Sequence, residues 1–217
     1  SSTCGSADVV EDLGYPLVSD PEAAKVELAK RNFVFLFAPH FHPAFRHVGP
    51  IRQQLGIRTI FNLMGPLLNP ALPTHQILGV PDFRFAPMMG RVLATRQGLD
   101  RAAIVHGAGG FDELTPCGPG RILFVEHGSV REAHLDPDEF GMAACSAQDL
   151  SCPSRGEALQ RQREVLSGRG SQPLKDMVAL NLGLALHLLE DHLSLHAAMN
   201  EARAHVSRGM SRGVSHA

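Results

Sequence analysis

The sequence of 217 residues contains no tryptophan, one tyrosine and only three lysines, Lys25, Lys30 and Lys175. Its formal net charge is −2, so it lacks the clustered positive charge with which proteins bind nucleic acids and anionic membrane surfaces. It also lacks an apolar run near the ~20 residues that a membrane-spanning helix requires, and a basic-then-apolar leader. We therefore expect neither nucleic acid nor a membrane among its partners.

Cysteine is scarce and widely spaced, and no Cys-x-x-Cys pair occurs. The four cysteines are Cys4, Cys117, Cys145 and Cys152. This spacing excludes a zinc ribbon and a disulfide framework, so we expect reduced thiols and a cytoplasmic protein. An initial methionine is also lacking, because the sequence begins SSTCGSADVV. We expect that it begins within a longer protein.

Short unbroken apolar runs alternate with segments of helical periodicity. The runs at 33–39, 75–80 and 102–107 predict strands buried on both faces, and 121–135 predicts a hairpin around His127-Gly128. Helices are predicted at 6–14 (with Ser6 as a plausible N-cap), 21–31, 43–55, 87–97, 156–166, 174–189 and 193–206. This order predicts an α/β domain on a largely parallel sheet with a late antiparallel hairpin.

Two adjacent carboxylates, Asp112 and Glu113, follow the predicted strand at 102–107 in the stretch IVHGAGGFDELTP. Like charges repel, so their adjacency at a strand end indicates a cation that lies against both. Mg²⁺ suits such a pair, because it takes one or two carboxylates together with water and phosphate oxygens. A solvated polar turn is the alternative that the residues leave open.

Small hydroxyl residues crowd the start of the chain, at the entry to the first predicted helix. A helix N-terminus offers unpaired N–H groups to a phosphate, but taken alone this stretch favours a simple capped helix. Further along, Arg46, Arg52 and Arg58 each have the planar fork that binds a carboxylate. Any of them could instead be a surface residue with a buried stem.

Several stretches together resemble the anthranilate phosphoribosyltransferase family of tryptophan biosynthesis. They are SSTCGSADVVEDLG, FAPHFHPAFRHVGPIRQQLGIRTIFNLMGPLLNP, VHGAGGFDELTP, LDPDEFGM and LKDMVALNLGLAL. The resemblance implies an α/β domain with a mainly parallel mixed sheet flanked by helices, as in pyrimidine nucleoside phosphorylases. It assigns 1–209 to this domain, 40–56 to remnants of a small helical domain, and 210–217 to a frayed tail.

The reaction implied by the resemblance is transfer of a phosphoribosyl group from 5-phosphoribosyl 1-diphosphate to the amine of anthranilate, with release of diphosphate. Mg²⁺ is the implied cofactor, and the full-length family member is expected to be a homodimer. The implied metal ligands are Asp112 and Glu113.

Substrate-binding residues follow from the same resemblance. Ser1 and Ser2 match the end of the loop that holds the diphosphate sugar, and Ser6 matches the serine that opens the next helix. For anthranilate, the matching residues are Arg52, His42 and Pro66. Phe41 departs from the family, which usually has tyrosine before His-Pro.

The first glycine-rich loop of the family and its Lys-His-Gly-Asn stretch have no counterpart in these residues. We therefore expect the 217 residues alone to be incomplete for catalysis. Two alternatives stay open: a non-catalytic relative kept as a binding or assembly module, and an enzyme similar to pyrimidine nucleoside phosphorylase.

Overall fold

The structure is a computed structural model that describes residues 5–42 and 65–209. The predicted helix at 43–55 lies outside the described residues, as do Ser1, Ser2 and Arg52. The described helices are α1 (Ser6–Asp12), α2 (Pro21–Arg31), α3 (Ala38–Phe41), α4 (Ala86–Ala94), α5 (Ala147–Leu150), α6 (Arg155–Leu166), α7 (Gln172–Leu189) and α8 (Leu195–Arg208). The described strands are β1 (His75–Gly79), β2 (Arg101–His106), β3 (Gly120–Glu126) and β4 (Ser129–Leu135).

The four strands form one mixed sheet in the order β1-β2-β3-β4. β1 pairs with β2 in parallel, whereas β2–β3 and β3–β4 are antiparallel. The predicted α/β fold with a mixed sheet is confirmed. Within the described residues the parallel share is smaller than expected, because one of the three pairings is parallel.

The predicted hairpin at 121–135 is confirmed as β3 and β4. Its two turn residues, His127 and Gly128, both have positive φ, at 48° and 80°. A two-residue turn with positive φ at both positions matches the right-handed twist of the flanking strands. The His-Gly dipeptide therefore sets the register that pairs Glu126 with Ser129.

The predicted strand at 33–39 is wrong. Residues 33–37 have no regular structure, and α3 begins at Ala38, where Pro39 fits the first helical turn because it needs no N–H partner there. The apolar side chains are not covered on both faces: Phe33 is 42% exposed and lies edge-on to Tyr15. In this stretch, contacts between individual aromatic rings replace the predicted strand pairing.

Both faces of the inner strands β2 and β3 are covered along most of their length, which explains their unbroken apolar runs. On one face, Ile122 and Phe124 of β3 pack in a core with Leu184 of α7 and Met199 of α8. On the other face, the side chain of Leu123 lies against Gly90 of α4.

The described residues form two compact units. One comprises the residues up to Pro70 together with Pro153–Leu159, and contains α1, α2 and α3. The other comprises Ala71–Cys152 and the residues from Gln160 onward, and contains the sheet with α4, α5, α7 and α8. None of the helices in the described part of the chain has the length and apolar character needed to cross a membrane.

We predict that Leu184→Ala lowers the free energy of unfolding by about 2–5 kcal/mol, because Leu184 is fully buried and its loss leaves a cavity. Urea denaturation followed by circular dichroism measures the change. Leu189→Ala is the matched control on the same helix, since Leu189 is 60% exposed. Equal losses in the two variants would contradict the packing described for α7.

Candidate functional site

The Asp112–Glu113 dipeptide lies over the carboxyl ends of the parallel neighbours β1 and β2. Gly79 ends β1, and a Cβ at this position would overlap the backbone carbonyl oxygen of Asp112. Gly107 follows β2, and a Cβ there would overlap the carbonyl oxygen of Glu113. Only glycine permits such close approach of two backbones. The loop that carries Asp112 and Glu113, called the acidic loop below, therefore packs directly against the ends of the two strands.

The bend before the acidic pair depends on glycine in a different way. Gly109 and Gly110 have φ values of 82° and 81°, a region that side chains with a Cβ rarely adopt. The turn closes on itself, because the backbone N–H of Gly107 donates to the carbonyl oxygen of Phe111 at 2.9 Å. The chain therefore reverses direction within five residues and places Asp112 at the edge of the sheet.

Asn181 of α7 holds the loop from the other side. Its Oδ1 accepts a hydrogen bond from the backbone N–H of Leu114 at 3.1 Å, and its Nδ2 donates to the carbonyl oxygen of Leu114 at 2.8 Å. The same Nδ2 also donates to the carbonyl oxygen of Met177, at 2.8 Å. Leu114 is buried, so the side-chain amide satisfies backbone groups that water does not reach. It anchors the residue that directly follows Glu113.

Neighbouring loops at this edge are held by hydrogen bonds of their own. The ring Nδ1 of His106 lies 2.9 Å from the carbonyl oxygen of Val80, beyond the end of β1. The hydroxyl of Thr115 donates to the carbonyl oxygen of Ala108 at 3.0 Å. The first contact joins the last residue of β2 to the residue after β1, and the second joins two parts of the segment that follows β2. Together they keep the edge of the sheet ordered around the acidic pair.

The two carboxyl groups differ in their surroundings. Asp112 is exposed, whereas Glu113 is half-buried. The pKa of Glu113 is raised to about 8, chiefly by burial and then by the hydrogen bond and the negative charge of Asp112. Near neutral pH, the pair therefore retains a proton in the absence of a cation. Since a divalent cation would relieve this repulsion, the pair fits a hard metal ion.

The number of ligands also suits magnesium. Within residues 5–42 and 65–209, no group of three or more His, Cys, Asp or Glu side chains lies close enough together to hold a metal ion. The described residues therefore do not form a metal site in which protein side chains supply three or more of the ligands. Mg²⁺ needs no such site, because it binds through one or two carboxylates and fills its other positions with water and phosphate oxygens.

The other predicted site residues lie in the first unit or outside the described residues. Ser6 is exposed and is the first residue of α1. The prediction that Ser6 caps this helix is wrong, because Gly5 occupies the cap position and its N–H donates to Asp8 Oδ2 at 2.9 Å. His42 directly follows α3, and Pro66 lies in a helical stretch at 65–67; both are half-buried.

Sequence reasoning missed two residues of the site, Asn181 and Gly79. Asn181 is a polar residue inside the apolar helical stretch VALNLGLAL, a pattern that signals a buried hydrogen bond. Gly79 interrupts the apolar run HQILGV at its end, and a glycine in such a place often marks a close backbone approach. Neither pattern identifies the partner, which is 67 residues away for Asn181.

We predict that Asn181→Ala lowers the free energy of unfolding by about 1–3 kcal/mol, because the buried N–H and C=O of Leu114 lose their partner. Hydrogen exchange followed by mass spectrometry should also show faster exchange at residues 112–115. Asn200→Ala is the matched control, since Asn200 is exposed on α8. Unchanged exchange in the Asn181 variant would contradict the anchoring described above.

A second prediction concerns pH. In the unfolded chain Glu113 ionises near its ordinary pKa of 4.5, and in the folded chain near pH 8. Folding therefore takes up a proton between these values, and the stability that depends on this group is lost as pH rises from about 4.5 through 8. In metal-free buffer, Glu113→Gln should flatten this dependence and be more stable than the parent at pH 8.5.

Urea denaturation across this pH range measures the effect. Glu139→Gln is the control, because Glu139 belongs to the second Asp–Glu dipeptide of the chain and is exposed. If the parent and Glu113→Gln curves ran parallel, the pKa assigned to Glu113 would be wrong.

Comparison with known proteins shows which enzymes this chain is similar to. The chain is 52% identical to the anthranilate phosphoribosyltransferase of Nitratidesulfovibrio vulgaris, over all of this chain and 65% of the relative. It is also 52% identical to that of Oleidesulfovibrio alaskensis, over 96% of this chain and 63% of the relative. The chain thus spans less than two thirds of the length of these relatives.

Solved structures of enzymes with the same name are also similar to this chain. The anthranilate phosphoribosyltransferase of Thermus thermophilus superposes with a TM-score of 0.82 at 38% identity, over 94% of this chain and 60% of that one. The Saccharomyces cerevisiae enzyme in complex with PRPP and Mg superposes with a TM-score of 0.79 at 28% identity, over 93% and 56%. The same yeast enzyme in complex with 4-fluoroanthranilate gives 0.80 at 29% identity, over 92% and 57%.

The profile of the glycosyl transferase family, a/b domain, matches residues 1–212, nearly the whole sequence. A match of this extent, on a fold that superposes on enzymes of the same kind, decides the family. The chain belongs to the glycosyl transferase family and corresponds to its a/b domain.

Proposed function

We propose that the chain is the α/β part of a pentosyltransferase that moves the phosphoribosyl group of 5-phosphoribosyl 1-diphosphate onto the amine of anthranilate. The observation that carries the proposal is the acidic pair Asp112–Glu113, seated on the ends of β1 and β2 with the pKa of Glu113 raised to about 8. Relatives with this name, and solved structures that contain PRPP with Mg or an anthranilate analogue, support it.

In this reaction the nitrogen of anthranilate forms a bond to the anomeric carbon as the bond from that carbon to the diphosphate oxygen breaks. The amine proton then leaves, and diphosphate departs with the bonding electrons. An aromatic amine is already nucleophilic, so the protein needs little acid–base machinery. What it must supply is positioning of the two substrates and stabilisation of the negative charge on the leaving group.

Asp112 and Glu113 would hold the Mg²⁺, which supplies positive charge beside the diphosphate when bound. The acidic loop packs against Gly79 and Gly107, and this contact fixes the backbone that carries both carboxylates. Asn181 anchors Leu114 and so restrains the same backbone from the other side. The chain thereby orders both ligands before any substrate arrives.

The remaining assignments belong to the proposal as well. Ser1, Ser2 and Ser6 would bind the phosphoribosyl diphosphate, and Arg52, His42 and Pro66 would bind anthranilate, as the resemblance to the family implies. We also propose a homodimeric, cytoplasmic protein in which 1–209 forms the catalytic domain. The 217 residues would supply part of the diphosphate site, because the family's first glycine-rich loop has no counterpart in them.

We predict that 5-phosphoribosyl 1-diphosphate binds more tightly with Mg²⁺ than with EDTA, and that Asp112→Asn and Glu113→Gln each remove this difference. Losing one charged ligand should weaken binding in Mg²⁺ by about tenfold or more. Isothermal titration calorimetry measures the affinity. Asp138→Asn and Glu139→Gln are the controls, because they change the other Asp–Glu dipeptide by the same chemistry.

If both site variants bound the donor as tightly as the parent, with and without magnesium, the metal assignment would be wrong. Activity is followed by the loss of anthranilate fluorescence, in the 217-residue chain and in the protein extended by the coding frame upstream of Ser1. Phosphorolysis of uridine or thymidine by the extended protein would favour a nucleoside phosphorylase. Tight, salt-sensitive binding of single-stranded DNA would favour a non-catalytic module.

A further inference from the structure

Two thiols lie next to each other just beyond the acidic loop. The Sγ atoms of Cys117 and Cys145 are 3.3 Å apart, although the residues are 28 positions apart in the chain. Their backbones are joined as well, because the N–H of Cys145 donates to the carbonyl oxygen of Pro116 at 3.3 Å. The contact between the sulfur atoms is therefore accompanied by a backbone hydrogen bond between the two segments.

Each segment is held by contacts of its own. Thr115 and Pro116, which precede the first thiol, are buried, and the hydroxyl of Thr115 donates to the carbonyl oxygen of Ala108. After the second thiol, the N–H and the hydroxyl of Ser146 both donate to Asp149 Oδ2 at 2.8 Å. The two sulfur atoms are thus brought together by ordered backbone on both sides.

We propose that Cys117 and Cys145 form a reversible dithiol–disulfide site that reacts with low-molecular-weight disulfides. A disulfide bond has an S–S length of about 2.05 Å, so the sulfur atoms need to approach by about 1.3 Å. Side-chain rotation can supply a movement of this size while the paired backbones stay in place. Both side chains are half-buried, which leaves a small reagent access to the pair.

The environment distinguishes the roles of the two thiols. The pKa of Cys145 is raised to about 12, chiefly by burial, then by the hydrogen bond and charge of Cys117, and last by the charges of Asp149 and Asp176. Cys145 therefore keeps its proton, and Cys117 is the thiol that attacks first. Its sulfur, after losing the proton, forms a bond to one sulfur of the reagent and releases one reagent thiol.

The second step closes the bond. Once Cys117 is in the mixed disulfide, its hydrogen bond and charge no longer raise the pKa of Cys145, which is then raised only by burial and by the charges of Asp149 and Asp176. The Cys145 sulfur then loses its proton and displaces the second reagent thiol from Cys117. In total, two protein thiols are oxidised to one disulfide, and one reagent disulfide is reduced to two thiols.

The bond would link two residues that are 28 positions apart in the chain. Cys117 stands four positions after Glu113, so the disulfide would fix the outgoing end of the acidic loop to the chain that precedes α5. A reducing compartment keeps the pair as thiols, and a rise in oxidised thiol reagents shifts it to the disulfide. The inference does not depend on the proposed reaction, since it rests on the sulfur contact alone.

The test is to incubate the folded chain with glutathione disulfide and to analyse the product, without reduction, by peptide mass spectrometry. We expect a chain lighter by two hydrogen atoms, a linked peptide that contains Cys117 and Cys145, and a Tm several degrees above that of the reduced protein. Cys152→Ser, the matched control, should form the same link. Cys117→Ser and Cys145→Ser, with circular dichroism like that of the parent, should not.

Three results would overturn the proposal. The first is separate glutathione adducts on Cys117 and Cys145 without a linked peptide. The second is a link that involves Cys4 or Cys152 in place of either. The third is no reaction with glutathione disulfide at concentrations that modify an exposed model thiol.

Discussion

The site depends on the close contact between the backbone of residues 112–113 and the ends of two parallel strands. Gly79 and Gly107 allow this contact because any Cβ at either position would overlap a carbonyl oxygen of the acidic pair. The amide of Asn181 adds a restraint from α7 by pairing with both backbone groups of Leu114. An exposed turn with two adjacent acids would move freely. Here the backbone is fixed before any ligand binds.

Fixing the backbone has an electrostatic consequence. Two carboxyl groups that cannot separate repel one another, and the half-buried one, Glu113, loses hydration as well. Its pKa rises to about 8 for these two reasons, burial first. A rigid pair of this kind favours the binding of positive charge at the carboxyl edge of the sheet, where ligands of α/β proteins commonly bind. The proposed Mg²⁺ would supply this positive charge.

Short-range patterns predicted much of the fold, because they are decided by neighbouring residues. The apolar runs at 75–80 and 102–107 and the His127-Gly128 turn all appear as strands and hairpin, with shifts of one or two residues at their ends. The run at 33–39 did not, since an apolar run predicts a buried strand only where other elements cover it. Phe33 is instead 42% exposed, and Pro39 lies in the first turn of a helix.

For the candidate site, the sequence alone determined the chemistry: adjacent carboxylates after a glycine-rich bend, in a stretch that resembles one enzyme family. Tertiary structure decided which residues support that chemistry. Asn181 reaches Leu114 from 67 positions away, and Cys117 meets Cys145 across 28. Local patterns carry no information on such pairings, because packing of the whole domain brings distant segments together. The same packing decides the unequal burial of Asp112 and Glu113, and with it the pKa of the pair.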